Sequence, residues 1–544
     1  MIDYSNFSSV EELRNYYGLQ QPILESNKDE NEDDKKDEKK DDKKDETLDV
    51  VYTNMKQTPT NIFKHIIIFT NDKDPKGNKT LKNIYDAVDA LKKAKCKTIP
   101  ELHIFVAANV IVDDESDNIE IQDDDGKFVI SEQSNIDTLV FSRLGVQGED
   151  ECEHAVEILQ DRGFLVLNPV KYSALACNKY DSAILFEKGE IPQPNFTLMT
   201  KDILYDEKLY EDAMQRLYPK WDIKDGDKNE EFMVVMKILD GHGGTGVALI
   251  DGKRIYAVLQ MIFAINPEQQ ILLQKKEEAD GGDIRVHVLT LRNKQVILGA
   301  MKRVKLGGDF RSNVSLGAEA EPVKLTPEQE QIALKTAALS KLPWCAVDIM
   351  PLVKGSNKEL GDNVVLEINA SPGTDGISDV LKTNFVNILL NELDDPSEFY
   401  LQDKTAGYIE SITIDLGKGF KKEFLAKLDT GNSTSASTLE VGEFKEIGNS
   451  IEFKLDGKKF KFEKIKDMNA NAGEETYKRP VIMVPEIILG DRRMKNVHIA
   501  IVKSREKKTT NILLNRDLMS KLGYVVSPDK MHVLTKEMEK VKII

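Results

Sequence analysis

Val347-Asp348-Ile349, followed by Val365-Leu366-Glu367-Ile368-Asn369-Ala370-Ser371-Pro372-Gly373, are the two stretches on which the reading of the fold turns. Side chains alternate along a strand, so Glu367 and Asn369 share one face, and an acid at the end of a neighbouring strand, Asp348, can join them. Three oxygen ligands on one surface suit magnesium held between protein and nucleotide phosphates. Taken singly, Asp348 and Glu367 read as ordinary strand-end acids. Apolar residues surround both, however, and a buried carboxylate needs a partner or a metal. The context turns the pair toward the metal.

Upstream lies Lys237-Ile238-Leu239-Asp240-Gly241-His242-Gly243-Gly244-Thr245-Gly246-Val247, between the apolar runs Phe232 to Met236 and Val247 to Ile250. A strand, a glycine-rich turn and a second strand let backbone N–H groups close over phosphates, with Lys237 as counter-charge. A plain hairpin turn would use the same residues. The Gly-Lys-Ser/Thr ending of a phosphate loop is missing and no helix pattern follows directly, which removes the P-loop and Rossmann readings.

Taken together, Arg303, Gly308-Asp309-Phe310-Arg311-Ser312-Asn313, Ala320-Glu321-Pro322, Val347-Asp348-Ile349 and Glu367 to Gly373 resemble the ATP-grasp ligases of the RimK group, which add glutamate to protein or peptide carboxyl ends. The resemblance runs in consistent order from about residue 135 to 395, and takes in Phe141-Ser142-Arg143-Leu144-Gly145 and Asn178-Lys179. It implies that Lys179 and Lys237 contact ATP phosphates under the loop Gly241, Gly243, Gly244, Thr245 and Gly246. It further implies that Asp348, Glu367 and Asn369 hold magnesium, two ions with manganese as an alternative. Gln274 stands at the adenine-binding hinge, with Lys275 where the family has an acid, and Asp283 and Asn313 complete the nucleotide site. Arg303 and Arg311 would face the carboxylate and its phosphorylated form. The implied chemistry is an acyl phosphate attacked by an amine, in which positioning and charge neutralisation supply most of the catalysis.

Local patterns agree with a multidomain α/β and α+β chain. Thr326-Pro327-Glu328-Gln329 is a capping box with proline at the first helical position, predicting a helix to about Leu342. Residues 284 to 304 alternate like antiparallel strands, giving helices packed on an antiparallel sheet. Ile66-Ile67-Ile68-Phe69, Leu102 to Val106 and Thr138-Leu139-Val140-Phe141 are buried-strand candidates, with a helical pattern at 80 to 94. They predict a small doubly wound domain at 60–178, ahead of an ATP-grasp domain at 179–395.

A separate unit is expected at 406–544, after the turn-rich Asp394-Asp395-Pro396. Tyr408 to Leu416 and Phe420 to Leu428 alternate like strands, and the second runs into Asp429-Thr430-Gly431-Asn432-Ser433. With Asn511-Ile512-Leu513-Leu514-Asn515-Arg516-Asp517-Leu518-Met519 this resembles the all-β retropepsin-like proteases, and the RimB-like partners of RimK ligases known as ATP-dependent zinc proteases. Aspartic-type cleavage needs two carboxylates sharing a proton. The chain has one Asp-Thr-Gly, so a two-fold dimer would have to bring Asp429 against its copy. Asn515 stands where the family has glycine, and asparagine tolerates positive φ. Alternatively, Asp-Thr-Gly is only a turn, or the module is folded but inactive. The seven histidines (His65, His103, His154, His242, His287, His498 and His532) are scattered in sequence with no His-Glu-x-x-His, which leaves zinc without support. His498, in an apolar strand, reads as a core residue.

Composition bounds the rest. A length of 544 residues predicts three or four domains. Four isolated cysteines and a start without a basic-then-apolar signal point to the cytoplasm, and no apolar run approaches the ~20 residues that span a bilayer. A net charge of −18 argues against general nucleic-acid binding. Residues 26–47 read as a charged, solvated linker after a short segment, 1–25, with helical apolar spacing. The expectation is a cytoplasmic homo-oligomer, dimer or tetramer, joining an ATP-dependent ligase to an aspartic-type peptidase. It would act on free glutamate and a protein or peptide C-terminus, ribosomal proteins among the candidates. Alternatives are a peptide natural-product ligase with a leader-removing protease, and a ligase with a catalytically dead dimerisation or peptide-binding module.

Overall fold

Ile66, Ile67, Ile68 and Phe69 are all fully buried, as in a strand covered on both faces. They belong to β1 (His65–Thr70), which pairs in parallel with β2 (Glu101–Phe105) and β6 (Thr138–Arg143), and β7 (Leu165–Leu167) extends the sheet to the order β2-β1-β6-β7. This computed structural model describes residues 60–534, except 72–76, 107, 114–117, 124–125, 145–149, 220–231, 240, 242–245, 293, 305–318, 358–359, 400–403, 473–474, 491 and 504–509. The segments at 1–25 and 26–47 therefore lie outside the described residues. These divide into two compact units. One holds the described residues of Asp74–Cys96 and Lys171–Glu392; the other holds those of Asn61–Lys73, Lys97–Val170 and Leu393–Ile544.

The parallel sheet belongs to the second unit. Between β2 and β6 the chain makes an antiparallel meander that sequence patterning did not anticipate: β3 (Asn109–Asp113), β4 (Asn118–Asp123) and β5 (Gly126–Ser131). Ile119, Ile121 and Ile130 of this meander share a core with Ile67, Phe69 and Phe105 of the sheet. Parallel pairing also sets His65 opposite Glu101, two residues before His103, and the two imidazole rings stand 5.6 Å apart. Two of the histidines scattered in sequence are thus neighbours in the fold.

The first unit opens with α1 (Lys79–Lys93), N-capped by Asn78, which accepts from Thr80 and Leu81 N. Its two sheets are antiparallel. The smaller runs β10-β9-β11-β8, from β8 (Phe196–Met199), β9 (Met233–Ile238), β10 (Val247–Asp251) and β11 (Ile271–Lys275). Val234, Ile271 and Leu273 put one of its faces into a core with Leu259 and Phe263 of the helix Ile255–Ile265. The larger runs β14-β13-β12-β15-β16, from β12 (Asp283–Thr290), β13 (Gln295–Val304), β14 (Glu319–Pro322), β15 (Trp344–Pro351) and β16 (Asn363–Asn369). Ile284, Val286, Val288, Val347, Ile349 and Ile368 form the core face of this sheet, with Ile332, Ala333 and Ala337 from the helix Pro327–Ser340 packed on it. The Thr326/Gln329 capping box is present in both directions.

The C-terminal part of the second unit is mostly strand. β17 (Lys404–Asp415) and β18 (Lys421–Leu428) form the expected hairpin within an eight-stranded sheet. β19 (Ser437–Val441) pairs in parallel with β25 (Arg492–Lys503), and β24 (Glu475–Leu489) pairs antiparallel with β25. β26 (Ile512–Leu514) runs parallel to β18, and β27 (Tyr524–Met531) runs parallel to β17. A smaller antiparallel sheet, β20 to β22 (Phe444–Ile447, Ser450–Leu455, Lys458–Glu463), adds Ile451 and Phe453 to the same core, and β23 (Lys466–Ala472) pairs with β24. His498 is exposed rather than part of the core, because Val497 and Ile499 on either side take the inward positions. Among the described residues no helix is long and apolar enough to cross a membrane.

Candidate active site

The face of the larger sheet opposite its apolar core is polar because of strand alternation. Cross-strand register sets Arg285 opposite Asp348 and Asp348 opposite Glu367, and two residues along it sets Asp283 opposite Arg303. Asn369 lies two residues beyond Glu367, opposite Ala346. A register shift after Asp348 leaves Leu366 as the extra residue, so Val365 faces Ile349 and returns to the core side.

Asp348 is 1% exposed and lies between two guanidinium groups. Arg285 donates to both of its oxygens, Nε to Oδ1 at 2.8 Å and a terminal nitrogen to Oδ2 at 2.7 Å. Arg303 donates to the same Oδ2 at 2.8 Å and to Asp283 Oδ1 at 2.5 Å. Burial alone would raise the pKa of Asp348; the two arginines outweigh it and hold the carboxyl well below the usual range. Asp283 goes the other way, pushed up to about 6 by burial, with Arg303 only partly opposing. Glu367 is open to solvent, its side chain 36% exposed, and the Asn369 amide lies 3.4 Å from both Asp348 Oδ2 and Glu367 Oε1. Two carboxylates and an amide are hard oxygen donors, the set that fits magnesium. Asp348 offers both carboxylate oxygens to this face, Oδ1 accepting from Arg285 Nε alone of the two arginines.

The smaller sheet supplies the opposing charge. Lys237 ends β9 on the face away from the apolar core, across from Leu272 and two rows from Gln274, which is buried in β11. Burial lowers the pKa of Lys237, and Lys179 lowers it further, while Glu367 and Asp348 pull it back up. Lys237 therefore lies within the field of the carboxylates on the larger sheet. Lys179 starts a helix whose N-cap is Asn178. Its ammonium group donates to the carbonyl oxygens of Gly241 and, at 3.4 Å, of Leu239, so it is tied to the base of the glycine loop. At the other end of that loop Gly246 has φ +73°, and a Cβ there would lie 2.1 Å from Ile238. Only glycine fits. Gly243, Gly244, Thr245, Arg311 and Asn313 lie outside the described residues.

Lys275, standing in place of the expected acid, pairs at 3.3 Å with Glu277, two residues on and 9% exposed. Arg285 is the residue that sequence reasoning passed over. It was visible in Asp283-Ile284-Arg285, but its partner lies 63 residues away and only register reveals it. The site thus brings together four cations, Lys179, Lys237, Arg285 and Arg303, and three carboxylates, Asp283, Asp348 and Glu367. A polyanion arriving with a divalent cation complements that balance.

Residues 176–393 match the RimK-like ATP-grasp domain family. All the residues just described lie within the matched stretch. Among curated relatives, a "Probable alpha-L-glutamate ligase" of Thioalkalivibrio sulfidiphilus is 38% identical over 146 residues, 26% of this chain and 44% of the relative. Another of the same name, from Azotobacter vinelandii, is 32% identical over 167 residues, 30% of this chain and 51% of the relative. The chain spans about half the length of the curated relatives it matches. Among solved structures, D-alanyl-alanine synthetase A of Vibrio cholerae gives 17% identity and a TM-score of 0.40, over 61% of this chain and 99% of that one.

A second candidate site lies in the C-terminal strands. Asp429 follows β18; its N–H donates to Leu514 O at 3.1 Å and its Oδ1 accepts from Gly431 N at 3.1 Å. Asn515 braces the loop from beneath. It is 2% exposed and extended, with φ −85° rather than the positive φ that the glycine comparison suggested. Its Oδ1 accepts from Leu518 N and Ser437 Oγ, and its Nδ2 donates to Thr434 O at 2.6 Å. Asparagine occurs here because the position is a helix N-cap.

Proposed function

We propose that this chain is an ATP-dependent carboxylate–amine ligase that adds glutamate to the C-terminal carboxyl of a protein or peptide. The observation that carries the reading is the polar face of Asp348, Glu367 and Asn369, with Lys237 in its field, inside a domain matched to the RimK-like family. In this reading the acceptor carboxylate attacks the γ-phosphorus of ATP, ADP leaves, and an acyl phosphate forms. The amine of the incoming amino acid then attacks the carbonyl carbon, orthophosphate departs, and the amine gives up a proton. Lys179 and Lys237 grip phosphate oxygens, and the loop from Gly241 to Gly246 covers them with backbone N–H groups. Gln274 and Lys275 border the adenine. Asp348, Glu367 and Asn369 would hold magnesium, one ion or two, and manganese would suit the same donors. When bound, the metal neutralises phosphate charge. Arg303 keeps Asp348 ionised, Arg303 and Arg311 are assigned to the reacting carboxylate and its phosphorylated form, and Asp283 and Asn313 to the nucleotide.

The test is direct. The protein is incubated with ATP, magnesium, each amino acid in turn and candidate acceptors, ribosomal proteins among them, and the acceptor masses are read. Glutamate-sized increments are expected. ATP-independent addition, or increments from another amino acid with none from glutamate, would reject the reading.

We infer a second activity, aspartic-type peptide cleavage at Asp429 in a homodimer, acting on the same class of tail. It is supported by the braced Asp429 loop and by the single Asp-Thr-Gly, which requires a second copy to supply the other carboxylate.

A further inference from the structure

Along the inward face of β1 and β2 the sequence places Ile67, Phe69 and Phe105, all buried apolar residues. At the amino-terminal end of that same face it places His65, Glu101 and His103. Parallel register makes them neighbours, with His65 opposite Glu101 and Ile67 opposite His103. One ligand atom from each lies within 4.8 Å of the others. His65 Nδ1 and His103 Nε2 each stand 3.8 Å from Glu101 Oε2. Both nitrogens are buried and have no hydrogen-bond partner. Two buried acceptor atoms without hydrogen-bond partners are costly to keep, and a metal would satisfy both at once.

We propose that His65, Glu101 and His103 form a binding site for a borderline divalent transition-metal ion, zinc being the best fit, separate from the magnesium ligands of the ATP-grasp domain. Two imidazoles and one carboxylate are a three-ligand zinc set with a fourth position left for water. Magnesium, which takes oxygen ligands, is disfavoured. Zinc bonds of about 2.0–2.1 Å put tetrahedral ligand atoms about 3.3 Å apart, so each 3.8 Å gap must close by roughly half an ångström. Glu101 can make that move, since its side chain is 68% exposed. Phe128 of β5 stacks on His103 with ring centroids 3.7 Å apart and shields the imidazole side of the site. The position is the amino end of parallel strands, whereas α/β folds bind substrates at the carboxyl end. The metal here is a clasp joining edge strand β2 to β1.

The full-length protein, stripped of metal and held in excess magnesium to fill oxygen-donor sites, is titrated with cobalt(II) and then with zinc in competition. One equivalent of cobalt is expected to give the intense visible absorption of a four-coordinate ion, displaced by zinc, and zinc should raise the thermal unfolding midpoint. His103→Gln should weaken zinc binding about a hundredfold, as loss of one of three protein ligands implies, and leave magnesium-dependent ATP turnover unchanged. Should His103→Gln fail to fold, Glu101→Gln, at an exposed side chain, takes its place with the same expected loss of zinc. Cobalt that shows only weak six-coordinate absorption, or zinc affinity in Glu101→Gln equal to wild type, would overturn the site.

Discussion

At Asp348 a carboxylate buried to 1% exposure is kept charged by two guanidinium groups, and this sets how the neighbouring acids divide the work. Glu367 is held more loosely, with the Arg285 guanidinium 3.9 Å away and its side chain 36% exposed. Replacing Glu367 by alanine should leave folding intact and reduce magnesium-dependent ATP turnover and ligation by at least about a hundredfold, the scale of one lost charge-stabilising group. Ligation at the wild-type rate would sink the assignment. Lys237 carries a pH signature. Burial lowers its pKa in the free protein, and bound phosphates would raise it. Between those two values, nucleotide binding must take up a proton; below the lowered value it takes up none. The same shift means that the free protein gains stability as pH rises toward the ordinary lysine value of ~10.4, because the unfolded chain holds that proton longer. Calorimetry of nucleotide binding in buffers of different ionisation enthalpy, with Lys237→Gln as control, reads the uptake. Sequence patterning made Glu367 and Asn369 visible because alternation within one strand is a local property, and Asp348 stood out as an acid within an apolar run. Arg285 escaped because its pairing with Asp348 depends on the register of β12 against β15, which no local pattern encodes.

Elements were legible where their signal was local. The Thr326 capping box begins the helix Pro327–Ser340, and the alternation of residues 284 to 304 is the β12/β13 pair. The β3 to β5 meander was not read from the sequence, and the meeting of His65 with Glu101 was missed because it depends on parallel pairing across an intervening helix. The helix that begins at Arg516 shows how one residue can be read for the wrong reason. Asn515 was expected to serve by tolerating positive φ, yet it caps the helix and ties Thr434 and Ser437 to it. Asn515→Ala should therefore cost about 2–4 kcal/mol, a lost cap plus a stranded carbonyl. Asn515→Asp should recover the cap alone. Denaturant unfolding measures both, and an alanine variant within about 0.5 kcal/mol of wild type, the range of an ordinary surface change, would discard the bracing role.

For the whole molecule, the two proposed sites lie in different compact units, Asp348, Glu367 and Asn369 in one and Asp429 in the other. Independent sites act additively, so under the proposed aspartic mechanism Asp429→Asn should abolish peptide cleavage while leaving ligation and oligomeric state unchanged. A variant that still cleaves would remove the aspartic mechanism, and wild type that cleaves no glutamate-tailed or untailed peptide would leave a passive module. The pairing of β27 beside β17 bears on synthesis. Lys404 of β17 stands opposite Tyr524 of β27, so while the chain is still on the ribosome half of one edge of β17 stays bare until β27 emerges. The two antiparallel sheets of the first unit, complete by Asn369, have no such wait. Nascent chains arrested before Tyr524 should show a protease-resistant first unit and a cleavable C-terminal segment. Bare β edges recruit neighbouring chains, so the interval between those two events is when crowded polysomes would aggregate, and the stage at which a chaperone would have most to protect.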